Sequence, residues 1–131
     1  MHTIAIRILS ILFPVSAFGV FYSGLMFLEI APLPPMRFWD GGPTALIIAA
    51  ILDLAGGSLG FATGMPALIQ VWKKEPNQAR MRRYLWLFVM ASLMGVVGDL
   101  IGGLYAIAAQ IGLYSSLVVL YLTRPTGNLY G

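Results

Sequence analysis

Tyr84–Thr123, YLWLFVMASLMGVVGDLIGGLYAIAAQIGLYSSLVVLYLT, carries a single charge, Asp99. As one straight helix it would run about 60 Å, twice the ~30 Å hydrocarbon core of a bilayer. It therefore has to fold back on itself, and Gly102-Gly103 are the obvious turn residues. The turn is expected between Val97 and Ala108. With no polar loop between them, the helices on either side are expected to be tightly apposed.

Outward from this stretch lie two more apolar windows. Ile8–Leu28 has no charge, and Thr44–Trp72 is interrupted only by Asp53. Four spans are expected, about 8–29, 44–72, 82–102 and 105–123. The fold class is all-α: an integral membrane four-helix bundle, antiparallel up-down, forming one transmembrane domain over 1–131. Composition agrees, at 59% hydrophobic and 10% charged, against roughly 25% charged in soluble domains. A water-soluble globule of 131 residues has too little interior to hide so much apolar surface. The chain contains no cysteine, which excludes disulfides, thiolate metal sites and iron–sulfur clusters.

Orientation follows from the basic residues. Lys73, Lys74, Arg80, Arg82 and Arg83 lie between the second and third spans, and four crossings put Arg7 and Arg124 on the same side. Only Arg37 falls opposite. This positive-inside bias predicts cytoplasmic termini in a multi-pass protein of the cell membrane. Arg7, the apolar run and Ala17-Phe18-Gly19 resemble a secretory signal, but the run is long enough to span, so it is expected to remain uncleaved.

Two helices carry small residues every four positions: Ala45, Ala49, Asp53, Gly57 beside Gly56, Gly60, Gly64, and Ala91, Gly95, Asp99, Gly103. Residues four apart share a face. In lipid, helices gain by close backbone approach rather than by burying leucine, so Gly56, Gly60, Gly64, Gly95 and Gly103 are read as helix-packing positions. The stripes can serve this bundle or another subunit.

Asp53 and Asp99 are the least apolar features of the spans. Counted along the helices, Asp53 lies about 30 Å from Lys73 and Asp99 about 24 Å from Arg83, at similar depth in the outer half. An aspartate near the bilayer centre costs at least ~2.5 kcal/mol and so faces a bundle interior or pathway. Two readings stand: a shared proton or cation site, and a structural hydrogen bond. Gln110, Ser115 and Ser116 are candidates for hydrogen bonds between helices. Pro14 and Pro66 are expected to kink or unwind their helices.

The basic segment is expected to be at least partly helical, with Lys73, Lys74, Arg80, Arg82 and Arg83 meeting anionic lipid headgroups. Nucleic acid is not an expected partner, since a short membrane-bound loop offers no reading element. The opposite loop, Pro32–Pro43, is stiff and aromatic through Met36-Arg37-Phe38-Trp39, suited to interface anchoring or to docking another protein. The only histidine is His2, so a histidine-ligated haem within the bundle is not expected. No catalytic motif or metal-spaced cluster occurs. An enzyme, a resident metal and a cofactor are therefore not expected.

Phe21-Tyr22-Ser23-Gly24-Leu25 resembles the aromatic-Ser-Gly segment late in the first helix of the DoxX/DoxD group of small four-helix membrane proteins. Leu52-Asp53-Leu54-Ala55-Gly56-Gly57, followed by Gly64, resembles the group's acidic-then-Gly-Gly pattern, where glutamate is usual. The basic residue that commonly follows the Ser-Gly segment is replaced by Met26–Leu28 before Glu29. The resemblance covers the first two spans and implies a membrane partner of quinone-linked redox chemistry. Small multidrug transporters also have four spans, but they carry a glutamate within the first, whereas Glu29 sits at its end.

Three functions are thus in view. The first is a non-catalytic subunit packing against other membrane subunits in a larger, respiratory or otherwise energy-transducing complex. The second is a small proton- or cation-coupled transporter using Asp53 and Asp99. The third is the DoxX-like partner.

Overall fold

The computed structural model describes residues 3–35 and 37–124; His2 and Met36 lie outside them. Four helices follow in order: α1 (Thr3–Phe27), α2 (Gly42–Trp72), α3 (Gln78–Ile101) and α4 (Ile107–Leu122). The first three are long and apolar enough to cross a membrane. Helix α4, at 16 residues, is about 24 Å long and shorter than a bilayer core. Helices α1 and α3 begin ahead of the apolar runs and carry Arg7 and Arg80–Arg83 within their first turns. Helices α1 and α2 continue unbroken through Pro14 and Pro66, so neither proline unwinds its helix.

The helices pack in a ring. Helix α1 packs most extensively on α2, α2 on α3, and α1 on α4; α3 and α4 form the smallest of the four neighbouring interfaces. The α3–α4 apposition expected from the missing loop is present, with Gly95 against Ala109 and Gly112 against Ser92, but it is limited in extent. Val20 of α1 packs with Ala106, Ala109 and Val96, and the space between α3 and α4 is partly filled by α1. The Ser16 hydroxyl of α1 also donates to the Ala108 carbonyl at 2.9 Å.

The exterior is apolar, and polar side chains are held among the apolar ones inside. Ile8, Ile51, Met90 and Tyr121 are each at least 60% exposed, while Ser10, Ser16, Ser92, Ser116 and Asp53 are buried. Water would penalise such an exterior, whereas lipid accepts it. Small residues close the interior. A Cβ on Gly57 would stand 2.7 Å from the Phe21 backbone nitrogen, and one on Gly64 would stand 2.9 Å from the Phe88 ring. Gly60 faces Ala17, Gly56 faces the Ala91 carbonyl and Gly95, and Gly95 faces Val20 and Ala109. These five stripe glycines therefore serve contacts within the bundle.

Gly103 is a correction. It lies in the turn after α3 with φ +92°, and a Cβ there would meet the Trp39 carbonyl. Its role is a left-handed backbone and a close approach to the outer loop, not a place on the helical face. The turn ends at Ala106, also left-handed at φ 60°, before α4 begins.

Substituting Gly57→Leu drives a side chain into backbone that cannot yield. Unfolding in detergent should show a loss of about 3 kcal/mol, whereas lipid-facing Ile51→Ala should change stability by less than about 0.5 kcal/mol. Equal effects from the two substitutions would contradict this packing.

Candidate functional site: a buried carboxyl pair

Helix α2 presents Asp53 one turn from Gly56-Gly57, and α3 presents Asp99 one turn from Gly95. Because the glycines let α2 and α3 approach closely, the two carboxyl groups meet in side-chain hydrogen-bonding contact across the interface. Asp53 is 0% exposed and Asp99 2%. Asp53 Oδ1 packs over Gly98, where any Cβ would displace it. Both oxygens of Asp53 and Oδ1 of Asp99 are buried with no donor among the described residues. Two carboxylates offer only acceptors, so a hydrogen bond between them requires a proton on one.

Ser23 on α1 borders Asp99, but its hydroxyl hydrogen is directed to the Gly19 carbonyl at 3.1 Å. One hydroxyl hydrogen cannot serve both acceptors well. No arginine or lysine forms an ion pair with either aspartate; among the described residues the one ion pair is Arg37–Asp40, at 3.7 Å. Nor do three His, Cys, Asp or Glu side chains gather as a metal cluster among the described residues.

Asp99 borders a cavity that Asp53 does not line. A cavity of about 260 Å³ lies between the end of α1 and the α3–α4 turn, lined by Ser23, Met26, Pro34, Asp99 and Tyr105 among others. Toward the basic end, Phe13, Phe88, Leu85, Met81 and Val119 form a buried apolar cluster that fills the bundle. At the opposite end Phe27, Ala49 and Ala50 pack with Leu33 and Leu104. The carboxyl pair sits between these clusters.

The outer loop closes over the end of α3. Arg37 Nε donates to the Gly102 carbonyl at 2.9 Å, Trp39 Nε1 to Leu100 at 2.9 Å, and the Phe38 amide to Gly103 at 2.8 Å. Phe38 and Tyr105 rings lie 5.4 Å apart. These donors satisfy carbonyls that a helix terminus leaves open, and the Arg37 charge suits the negative end of the helix dipole. Neither Arg37 nor Trp39 was identified for this capping role in the sequence; the only available signal was an isolated arginine beside a tryptophan in the outer loop.

Three other expectations are corrected. Gln110 is half-buried and donates to the Tyr105 carbonyl of its own segment at 2.7 Å, not across helices. Ser115 and Ser116 bond the Gly112 carbonyl within α4. In both cases the nearest acceptor is a carbonyl about one turn back, which has a lone pair to spare for a side-chain donor. Arg82 is half-buried, and its guanidinium donates to the Leu120 carbonyl at 2.9 Å and the Thr123 hydroxyl at 3.1 Å. It caps the end of α4 and is committed inside the protein, while Lys73, Lys74, Arg80 and Arg83 are exposed. Residues 73–77 form a loop, and Asn77 caps α3 by accepting from the Arg80 amide at 3.0 Å.

No protein family, curated protein or solved structure matches this chain.

If the carboxyls act as one unit, their stabilities should not add. A double-mutant cycle of Asp53→Asn and Asp99→Asn, read by unfolding in detergent, should give a coupling energy of about 0.5–3 kcal/mol. Strict additivity would place the two side chains out of contact.

Proposed function

We propose that this chain is a small proton- or cation-coupled membrane transporter whose working site is the Asp53–Asp99 pair. In this reading α4, with flanking Tyr105 and Thr123, completes a fourth crossing of the cell membrane. Both termini and the Lys73–Arg83 segment then face the cytoplasm, and the carboxyl pair lies in the outer half of the bilayer. The observation that carries the reading is that two buried carboxyls from different helices meet beside a cavity with no cation paired to either, the Ser23 hydroxyl being the one polar neighbour on α1. A purely structural pair would normally be closed off with its hydrogen bonds complete; Asp99 instead lines a cavity.

The pair has the chemistry for reversible loading. With one proton shared it carries one net negative charge, and a second proton or a monovalent cation neutralises it. Neutralisation lowers the cost of holding the site in a low-dielectric interior. Loading is thereby tied to how tightly α1, α2 and α3 close around the pair. Release to the cytoplasmic side requires the Phe13–Phe88 contact, with ring centroids 5.0 Å apart, to open.

The subunit reading drew its support from the glycine stripes and the stiff outer loop. Gly56, Gly60, Gly64 and Gly95 are occupied by the protein's own helices, and the loop is bound to the end of α3. The carboxyl pair has no such internal use, which favours the transport reading.

In liposomes carrying a pH or sodium gradient, the wild-type protein should sustain ion-coupled flux. Asp53→Asn and Asp99→Asn should each reduce it at least about tenfold while inserting normally, since each removes a charge that the loading step titrates. Undiminished flux in both variants would overturn the proposal.

A further inference from the structure

At the basic end of the bundle, charges from separate parts of the chain converge. A cavity of about 150 Å³ is lined by Arg7 of α1, by Lys73 and Lys74 after α2, and by Thr3, Gln78 and Thr123. That is far above the roughly 15 Å³ that admits a single water. No carboxylate lines it among the described residues, and Glu75 in the adjoining loop is exposed. Every side chain named can donate a hydrogen bond, and three of them are cationic. The α3 N-terminus, which begins at Gln78, adds its positive dipole end.

Arg7 is held in place. Its guanidinium lies 5.4 Å from the centroid of the Trp72 ring. Trp72 Nε1 donates to the Ser10 hydroxyl at 3.0 Å, and Ser10 donates to the Arg7 carbonyl at 2.7 Å. This arrangement links the arginine, its stacking partner and its own backbone across α1 and α2. Arg7 Nε is nevertheless buried and without an acceptor among the described residues. A buried guanidinium nitrogen lacking an acceptor is costly, and an anion in this cavity of donors would supply one.

We infer that this cavity binds a phosphate group through Arg7, Lys73 and Lys74, presented either by an acidic lipid headgroup or by a free phosphate. The site is distinct from diffuse attraction of the basic segment to the membrane. Arg80 and Arg83 do not line the cavity, and Arg82 is engaged with the end of α4. It is also independent of the carboxyl pair, so it can hold or fail apart from the transport reading. An anion held here would bridge the start of α1 to the α2–α3 loop.

The test uses the purified full chain, stripped of lipid in a maltoside detergent. It is titrated separately with phosphatidic acid, with diacylglycerol of the same acyl chains, and with inorganic phosphate, following Tm and retained ligand by native mass spectrometry. Phosphatidic acid should bind and raise Tm, while diacylglycerol, which lacks the phosphate, should not. Stabilisation by phosphatidic acid alone assigns the lipid source, and stabilisation by inorganic phosphate assigns a soluble one. Arg7→Gln should weaken binding at least about tenfold, the loss expected for charge-assisted hydrogen bonds, with Arg80→Gln and Arg83→Gln near wild type. Should Arg7→Gln fail to fold, Lys73→Gln and Lys74→Gln must each weaken binding more than Arg80→Gln does. The inference is overturned if neither phosphate source binds, or if Arg80→Gln and Arg83→Gln cost as much as the cavity variants.

Discussion

Close backbone approach along the glycine face of α2 is the constraint on which the other features rest. In lipid there is no gain from hiding leucine, so helices adhere by van der Waals contact and a few internal hydrogen bonds. Gly57 against the Phe21 backbone, Gly60 against Ala17 and Gly56 against the Ala91 carbonyl bring α1 and α3 onto α2 with no side chain between. Asp53, on the same stretch of helix, is thereby carried into contact with Asp99. Residues that carry the DoxX/DoxD resemblance lie here too: Gly24 rests on Leu54 and Ser23 borders Asp99. Packing alone explains the glycines among them, while the carboxyl in the pattern has no such explanation.

The ends of the helices obey a second rule. A bilayer supplies no water to open carbonyls near its core, so the protein must satisfy them itself. Arg37, Trp39 and the Phe38 amide do so for the end of α3, and Arg82 does so for the end of α4. These contacts place the Pro32–Pro43 loop beside the cavity that reaches Asp99, with Pro34 in its wall. The cap of α3 and the mouth of the carboxyl site are therefore built from the same loop, and movement of one bears on the other.

Much of this was legible in the sequence. The absence of charge from Ile8 to Leu28, and a single charge, Asp99, across Tyr84–Thr123, mark helices by length alone, and Gly102-Gly103 marks the fold-back. Similar counts of helical rise from the basic segment, about 30 Å and about 24 Å, predict similar depths for Asp53 and Asp99. Partner choice was not legible. Gln110, Ser115 and Ser116 are polar in an apolar helix, yet whether they bond across or along it depends on which carbonyl is nearest, a tertiary property. Gly103 continues a four-residue spacing that the helix itself does not, because α3 stops at Ile101. The small α3–α4 interface was hidden because spacing along the chain says nothing of α1 packing between them through Val20.

The central claim is that Asp53 and Asp99 act as one proton-sharing unit inside the bundle. Infrared spectroscopy of the protein in lipid tests this through the C=O stretch of a protonated carboxylic acid, which ionised carboxylates lack. The account predicts one such band at neutral pH, shifted or abolished by Asp53→Asn and likewise by Asp99→Asn. A spectrum with no protonated carboxyl, or a band that responds to one substitution and ignores the other, would contradict it.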